Sequence, residues 1–241
     1  HNKPIRILIL AACMNKFAST VYAHTTVGVM VFGILMNNYA IAGLIGIVTA
    51  VPTMFVISAG IRVAQSMGQK RSLMLFTALG IFFQVVMTGV LMQENINAVS
   101  FNPRHINGIT IGFVLVYILL NGCKSITNNM VVPMIADCSD YERYRSGRFV
   151  PGLMGALFSF VDKVFAALGT AFVGLVMLVM GYNRRFPQIG DELTGELKGT
   201  TLFLYCGLPI ICWLLSLFFM KFYELDKRKM FEVSKKLRRE K

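Results

Sequence analysis

The stretch VPGLMGALFSFVDKVFAALGTAFVGLVMLVM, residues 150–180, decides the fold. It stays apolar for longer than the roughly 20 residues that a helix needs to cross a hydrocarbon core about 30 Å thick. Its middle holds one adjacent acid and base, Asp162 and Lys163. An ionisable side chain at the centre of a bilayer costs about 2.5–3.5 kcal/mol on insertion scales, and each Leu, Val or Phe offsets only about 0.3–0.6 kcal/mol of that. The span can insert, but the charged pair then needs a partner, a cavity or a task. Lys163 lies 15 residues past Arg148, about 22 Å along a helix, so it cannot easily snorkel to a surface.

Just upstream runs DCSDYERYRSGR, residues 137–148, with three acids and three arginines. This segment reads as a charged loop between two spans. It is either a solvated turn or an inner gate, whose charged pairs close one side in one state and break in the other. The gate residues are Asp137, Asp140, Tyr141, Arg145 and Arg148.

Composition agrees with a membrane chain. Of 241 residues, 55% are hydrophobic and 15% charged, and mean hydropathy is +0.61. A soluble domain is nearer a quarter charged. Six apolar segments are long enough to span, at about 5–36, 39–66, 72–92, 107–136, 150–182 and 201–223. The first is overlong and is expected to kink or break near Tyr22–Thr26. The fold expected is an all-α polytopic bundle over residues 1–223, with a basic tail at 224–241. No soluble domain is expected, and the longest loop, 183–199, is polar. Gly43, Gly46 and Gly60 read as helix-packing positions.

The 24 Lys and Arg against 12 Asp and Glu could suggest a nucleic-acid partner. Their placement argues against it. Nine lie from Lys221 onward, directly after a span, where they suit anionic lipid heads. Lys3 and Arg6, Lys70 and Arg71, and the three arginines of 143–148 fall on the same side, making sixteen. The alternate loops hold four: Arg104, Arg184, Arg185 and Lys198. That bias puts both ends in the cytoplasm. The five cysteines are scattered and read as small apolar packing residues, and three histidines without nearby carboxylates offer no metal site. The chain starts without Met and enters a span almost at once, which reads as a fragment of a longer protein.

Asn121, Lys124, Ser125 and Asn128 recur at spacings of three and four on one face of the fourth span. They form either an interhelical hydrogen-bond cluster or the wall of a water-filled path. Asp162 and Lys163 point about 100° apart. Ser159, Asp162, Ala166 and Gly169 share one face, and Asp162 either pairs with Lys124 or Lys16 or belongs to a transport path. His24 is either a proton relay or a hydrogen-bonded structural histidine, and Gln84 is an interhelical polar contact.

The Asp-x-x-Asp-Tyr pattern at Asp137, Asp140 and Tyr141, then Arg145-Ser146-Gly147-Arg148, Gly152, Ser159 and Lys163, resembles the glycoside–pentoside–hexuronide:cation symporters of the major facilitator superfamily. The resemblance implies twelve helices in two halves, with this chain as the C-terminal half. It implies cation-coupled (Na⁺ or H⁺) symport of a glycoside, oligosaccharide or related sugar in the cell membrane. The partners implied are the sugar, the coupling cation, the bilayer and an N-terminal six-helix half that carries most of the cation site. It implies no cofactor. It places Lys163, Asp162, Ser159 and Asn128 near the sugar, and Lys124 and Asn121 of the polar stripe complete the expected substrate-binding set. Asp162 stands where the family pattern has an apolar residue, and Asn128 where relatives place an aromatic ring. Other readings are a lysophospholipid carrier of the same superfamily and a non-transporting sensor or scaffold. An intramembrane enzyme lacks any catalytic constellation in the spans.

Overall fold

The computed structural model describes residues 3–101 and 106–239. Arg104 and Lys241, and two of the three histidines, His1 and His105, lie outside the described residues. Eight helices organise the rest: α1 (Lys3–Tyr22), α2 (Thr25–Leu35), α3 (Ala40–Met67), α4 (Gln69–Leu91), α5 (Gly108–Ser146), α6 (Pro151–Val179), α7 (Gly195–Lys221) and α8 (Lys227–Arg239). A 3₁₀ turn spans Glu94–Ala98, and no strand occurs among the described residues. The six long apolar helices α1 and α3–α7 can each cross a membrane.

The overlong first segment breaks where expected. His24 takes extended dihedrals and its Nδ1 accepts from the Thr26 amide at 3.3 Å, so it caps α2. This is the structural role open to His24 in the sequence.

One expectation fails. Residues 137–146 are not a loop but the last turns of α5, which runs 39 residues. At 1.5 Å per residue that is about 58 Å, nearly twice the hydrocarbon core. Charge does not end a helix, and no Gly or Pro interrupts the chain between Pro133 and Gly147. Gly147 then stops it at φ 71°, with its N–H on the Arg143 carbonyl, and Pro151 starts α6. The true connection is residues 147–150. The polar loop expected at 183–199 is also shorter, because Thr194 Oγ1 accepts from the Leu197 amide and begins α7 at Gly195.

Helix α1 is the hub and packs on α5, α6 and α7, while α5 packs on α3 and α4. In lipid, packing rather than the hydrophobic effect holds such helices together, and small residues let them close up. Gly122 faces Val56 so closely that an added Cβ would lie 2.5 Å from its Cγ1, and Gly60 is pressed in the same way against Ile126. Gly169 gives α6 its approach to Thr20 of α1. Gly43 and Gly46 meet nothing within 4 Å, so they are not packing positions in this bundle. All five cysteines are buried. α3 and α6 leave large apolar faces uncovered, with Phe55 and Phe160 exposed, as suits lipid or a second bundle.

The basic segments meet at one end. Lys3 Nζ lies 2.7 Å from Glu224, past the last span. Lys70 bonds the Tyr223 carbonyl, and Lys227 donates to the Ser66 carbonyl at 2.9 Å. Lys229 and Lys236 sit over the rings of Tyr141 and Tyr144. The tail is therefore a helix docked beneath the bundle. Val233 of α8 is buried, and Met230 packs on the cluster that holds Cys138 and Tyr223.

Candidate functional site

A cavity of about 510 Å³ opens between α1, α2, α5 and α7. Its α5 wall is the polar stripe Asn121, Lys124, Ser125 and Asn128. The helical spacing that aligned these residues in sequence continues one turn up to Tyr117, which also lines the cavity. Ser19, Tyr22 and His24 face the stripe from α1 and its break, Phe32 comes from α2, and Tyr205 from α7.

The aromatic part of the wall was not evident in the sequence. Tyr22 stacks on Tyr205 with ring centres 4.4 Å apart, and their hydroxyls share a hydrogen bond of 2.8 Å. The ammonium of Lys124 lies 3.1 Å from the centre of the Tyr22 ring, a cation–π contact. Tyr205 is held by two local features. The turn Phe203–Gly207 is a wide π-helical one, a geometry frequent at functional sites. Pro209 also lacks the N–H that would close an α-turn onto the Tyr205 carbonyl. Gln84 Nε2 of α4 donates there, at 3.1 Å. This is the interhelical contact expected of Gln84. Asn121 Nδ2 donates to the Tyr117 carbonyl at 2.9 Å, which pins its amide at the rim.

The other expected site residues are elsewhere. Asp162 faces α1 and pairs with Lys16, Nζ to Oδ2 3.0 Å. Lys163 and Ser159 lie on the exposed face of α6 and do not line this cavity. Asp137 lines a groove at the basic end with Arg71, Asp226 and Lys227. Asp140 and Tyr141 are half-buried beside it, and Arg145 and Arg148 are exposed at the end of α5 and just past it.

Chemically, the cavity joins aromatic faces to amide, hydroxyl and ammonium donors. A ligand with an apolar ring face and many hydroxyls matches both. Its volume falls within the range of about 300–1,000 Å³ usual for small-molecule sites.

Comparison with known proteins agrees with this architecture. The family model described as MFS/sugar transport protein matches residues 1–227. The chain is 32% identical over 117 residues to an uncharacterized symporter, YnaJ, of Bacillus subtilis (strain 168), which covers 48% of this chain and 24% of that protein. It is 27% identical over 104 residues to the putative glycoside/cation symporter YagG of Escherichia coli (strain K12), covering 43% and 22%. It is 24% identical over 165 residues to the isoprimeverose transporter of Lactiplantibacillus pentosus, covering 68% and 30%. The matched stretches thus span under a third of each relative. No solved structure gives a significant match. With six apolar helices and a family match across nearly its whole length, the chain is a multi-pass membrane protein and belongs to the MFS/sugar transport protein family.

Proposed function

We propose that this bundle is one half of a secondary active transporter that carries a glycoside or oligosaccharide together with Na⁺ or H⁺. It works by alternating access against a second six-helix bundle, and it does no covalent chemistry. The observation that carries this reading is the cavity in which Lys124, Asn121 and Asn128 face a stacked pair of tyrosines. Sugar hydroxyls bond the amides and the ammonium, while a pyranose face lies on an aromatic ring. The names of two relatives, a putative glycoside/cation symporter and an isoprimeverose transporter, support the same cargo class.

In this reading α6 adds Lys163 and Ser159 from its exposed face, opposite the partner half, and Asp162 holds that helix to α1 through Lys16. Asp137, Asp140, Tyr141, Arg145 and Arg148 form part of the inner gate. The concentration of basic segments at one end supports a cytoplasmic location for that end, in the cell membrane.

The test uses the full-length protein in vesicles. Glycoside accumulation driven by a Na⁺ or H⁺ gradient is expected, and Lys163→Ala abolishes it without loss of membrane insertion. Normal accumulation by that variant removes Lys163 from the site. Absence of any saturable glycoside binding, with or without the cation, returns the protein to a scaffold or sensor.

A further inference from the structure

Beside the cavity lies a second, much smaller space with several polar side chains in its lining. It is bounded by Asn15 of α1, Thr77 of α4, Lys124 and Thr127 of α5, and Trp213 of α7, and it measures about 10 Å³. It adjoins the larger cavity at Ser19, Lys124 and Asn128, which line both. Asn15, Thr77 and Thr127 are 4%, 3% and 6% exposed. Both amide atoms of Asn15 and the hydroxyls of Thr77 and Thr127 find no hydrogen-bond partner in the protein.

Polar side chains buried in this way cost about 1–3 kcal/mol each when unpaired, and native proteins nearly always satisfy them. Four orphaned atoms around one small space point to an occupant. A water molecule needs a cavity of about 10–15 Å³ and two to four polar partners. The set here offers an amide donor, an amide acceptor and two hydroxyls that do either, which matches the two donors and two acceptors of water. A monovalent cation fits less well. The lining contains no carboxylate, it includes a lysine, and one Asn15 atom is a donor.

We propose that this chamber is a binding site for one resident water molecule, held by Asn15, Thr77 and Thr127. The water serves as a partner for the Lys124 ammonium in addition to the Tyr22 ring. It keeps that charge solvated and positioned at the cavity wall in the middle of the bundle. The site is read from the bundle alone and stands whatever the cavity carries.

X-ray radiolytic footprinting of the full-length protein in nanodiscs tests it, because hydroxyl radicals formed from a bound water oxidise the side chains that touch it. Trp213 is 5% exposed and lines the chamber. Wild-type protein is expected to oxidise at Trp213 despite this burial, and to take up ¹⁸O into that product slowly after mixing with H₂¹⁸O. Thr77→Val and Thr127→Val each remove one hydrogen bond and lower the yield at Trp213 by about tenfold. Thr77→Ser, which keeps the hydroxyl, restores it. No oxidation at Trp213 in the wild type overturns the proposal, as does a yield unchanged in both valine variants or label exchange as fast as bulk solvent. The wild-type measurement decides even where a variant fails to fold.

Discussion

Lys16 of α1 and Asp162 of α6 meet with nitrogen and oxygen 3.0 Å apart, one turn or two from the Gly169–Thr20 contact between the same helices. The sequence made Asp162 the anomalous member of the Asp162–Lys163 pair, since it stands where an apolar residue was expected. The contact gives it a physical reason: the acid neutralises a lysine on the hub helix and ties α6 to it. Lys163, about 100° away around the helix, is left on the open face.

Truncating one partner should therefore hurt more than removing both. A fully buried pair loses about 3–5 kcal/mol when one charge is left alone. These side chains are 34% and 23% exposed, so the expected loss for Asp162→Leu is smaller, about 1–3 kcal/mol. Lys16→Leu/Asp162→Leu is expected to recover most of it. Thermal unfolding of the four proteins in nanodiscs gives the coupling. A double variant as unstable as the sum of the two singles would show that the contact contributes nothing.

The glycines separate into two kinds by what surrounds them. Gly122→Val drives a branched side chain into Val56 and should cost about 1–3 kcal/mol or block assembly, as overpacking does. Gly43→Ala meets open space within a helix and should be neutral, or stabilising by about 0.5–1 kcal/mol through reduced backbone entropy. Comparing folded yield and melting temperature for the two variants tests the α3–α5 interface, and equal losses would contradict it.

How much of this was legible in the sequence follows from the range of each interaction. The span count was readable because crossing a bilayer demands a run of some 20 apolar residues whatever the neighbours do. The Asn121–Lys124–Ser125–Asn128 stripe was readable because helical spacing puts those residues on one face by local geometry alone. The end of α5 was misread because charge was treated as a sign of loop. Tyr, Arg and Glu continue a helix until Gly147 stops it. The aromatic wall was out of reach. Tyr22 and Tyr205 are 183 positions apart, and Gln84 reaches the Tyr205 carbonyl across 121. No local pattern announces such pairs, and a π-helical turn has no clear sequence signature. Pro209, four residues past Tyr205, was the one available hint that a carbonyl needed another donor.

The docking of the tail should depend on pH. The Glu224 carboxyl ionises below the usual glutamate range, first because Lys3 hydrogen-bonds it and also because Lys229 lies near. A lowered folded-state value means the contribution is complete above the unfolded value of about 4.3 and is lost as pH falls through the lower folded value. Limited proteolysis of α8 is expected to accelerate below about pH 4. Glu224→Gln should show faster cleavage at neutral pH and a flat response on acidification. An acid-triggered release that persists in the glutamine variant would assign it to another group.

Lys124 and Tyr22 give the most direct test of the cavity. If the ammonium bonds a ligand hydroxyl, Lys124→Met removes a charge-assisted hydrogen bond worth about 1.5–3 kcal/mol, a loss of some 10- to 150-fold in affinity. Tyr22→Phe keeps the ring beneath the ammonium and removes the hydroxyl with its bond to Tyr205, about 0.5–1.5 kcal/mol, so affinity falls by roughly 2- to 13-fold. Tyr22→Leu loses the cation–π contact and the stack together and should fall well below the Phe variant. Glycoside titration of the full-length protein by calorimetry ranks the four. The order wild type, Tyr22→Phe, then Tyr22→Leu and Lys124→Met together at the bottom supports a ring-held ammonium at the site. Equal losses for Phe and Leu would shift the weight to the Tyr22–Tyr205 hydroxyl bond, and wild-type affinity in Lys124→Met would remove the lysine from ligand contact.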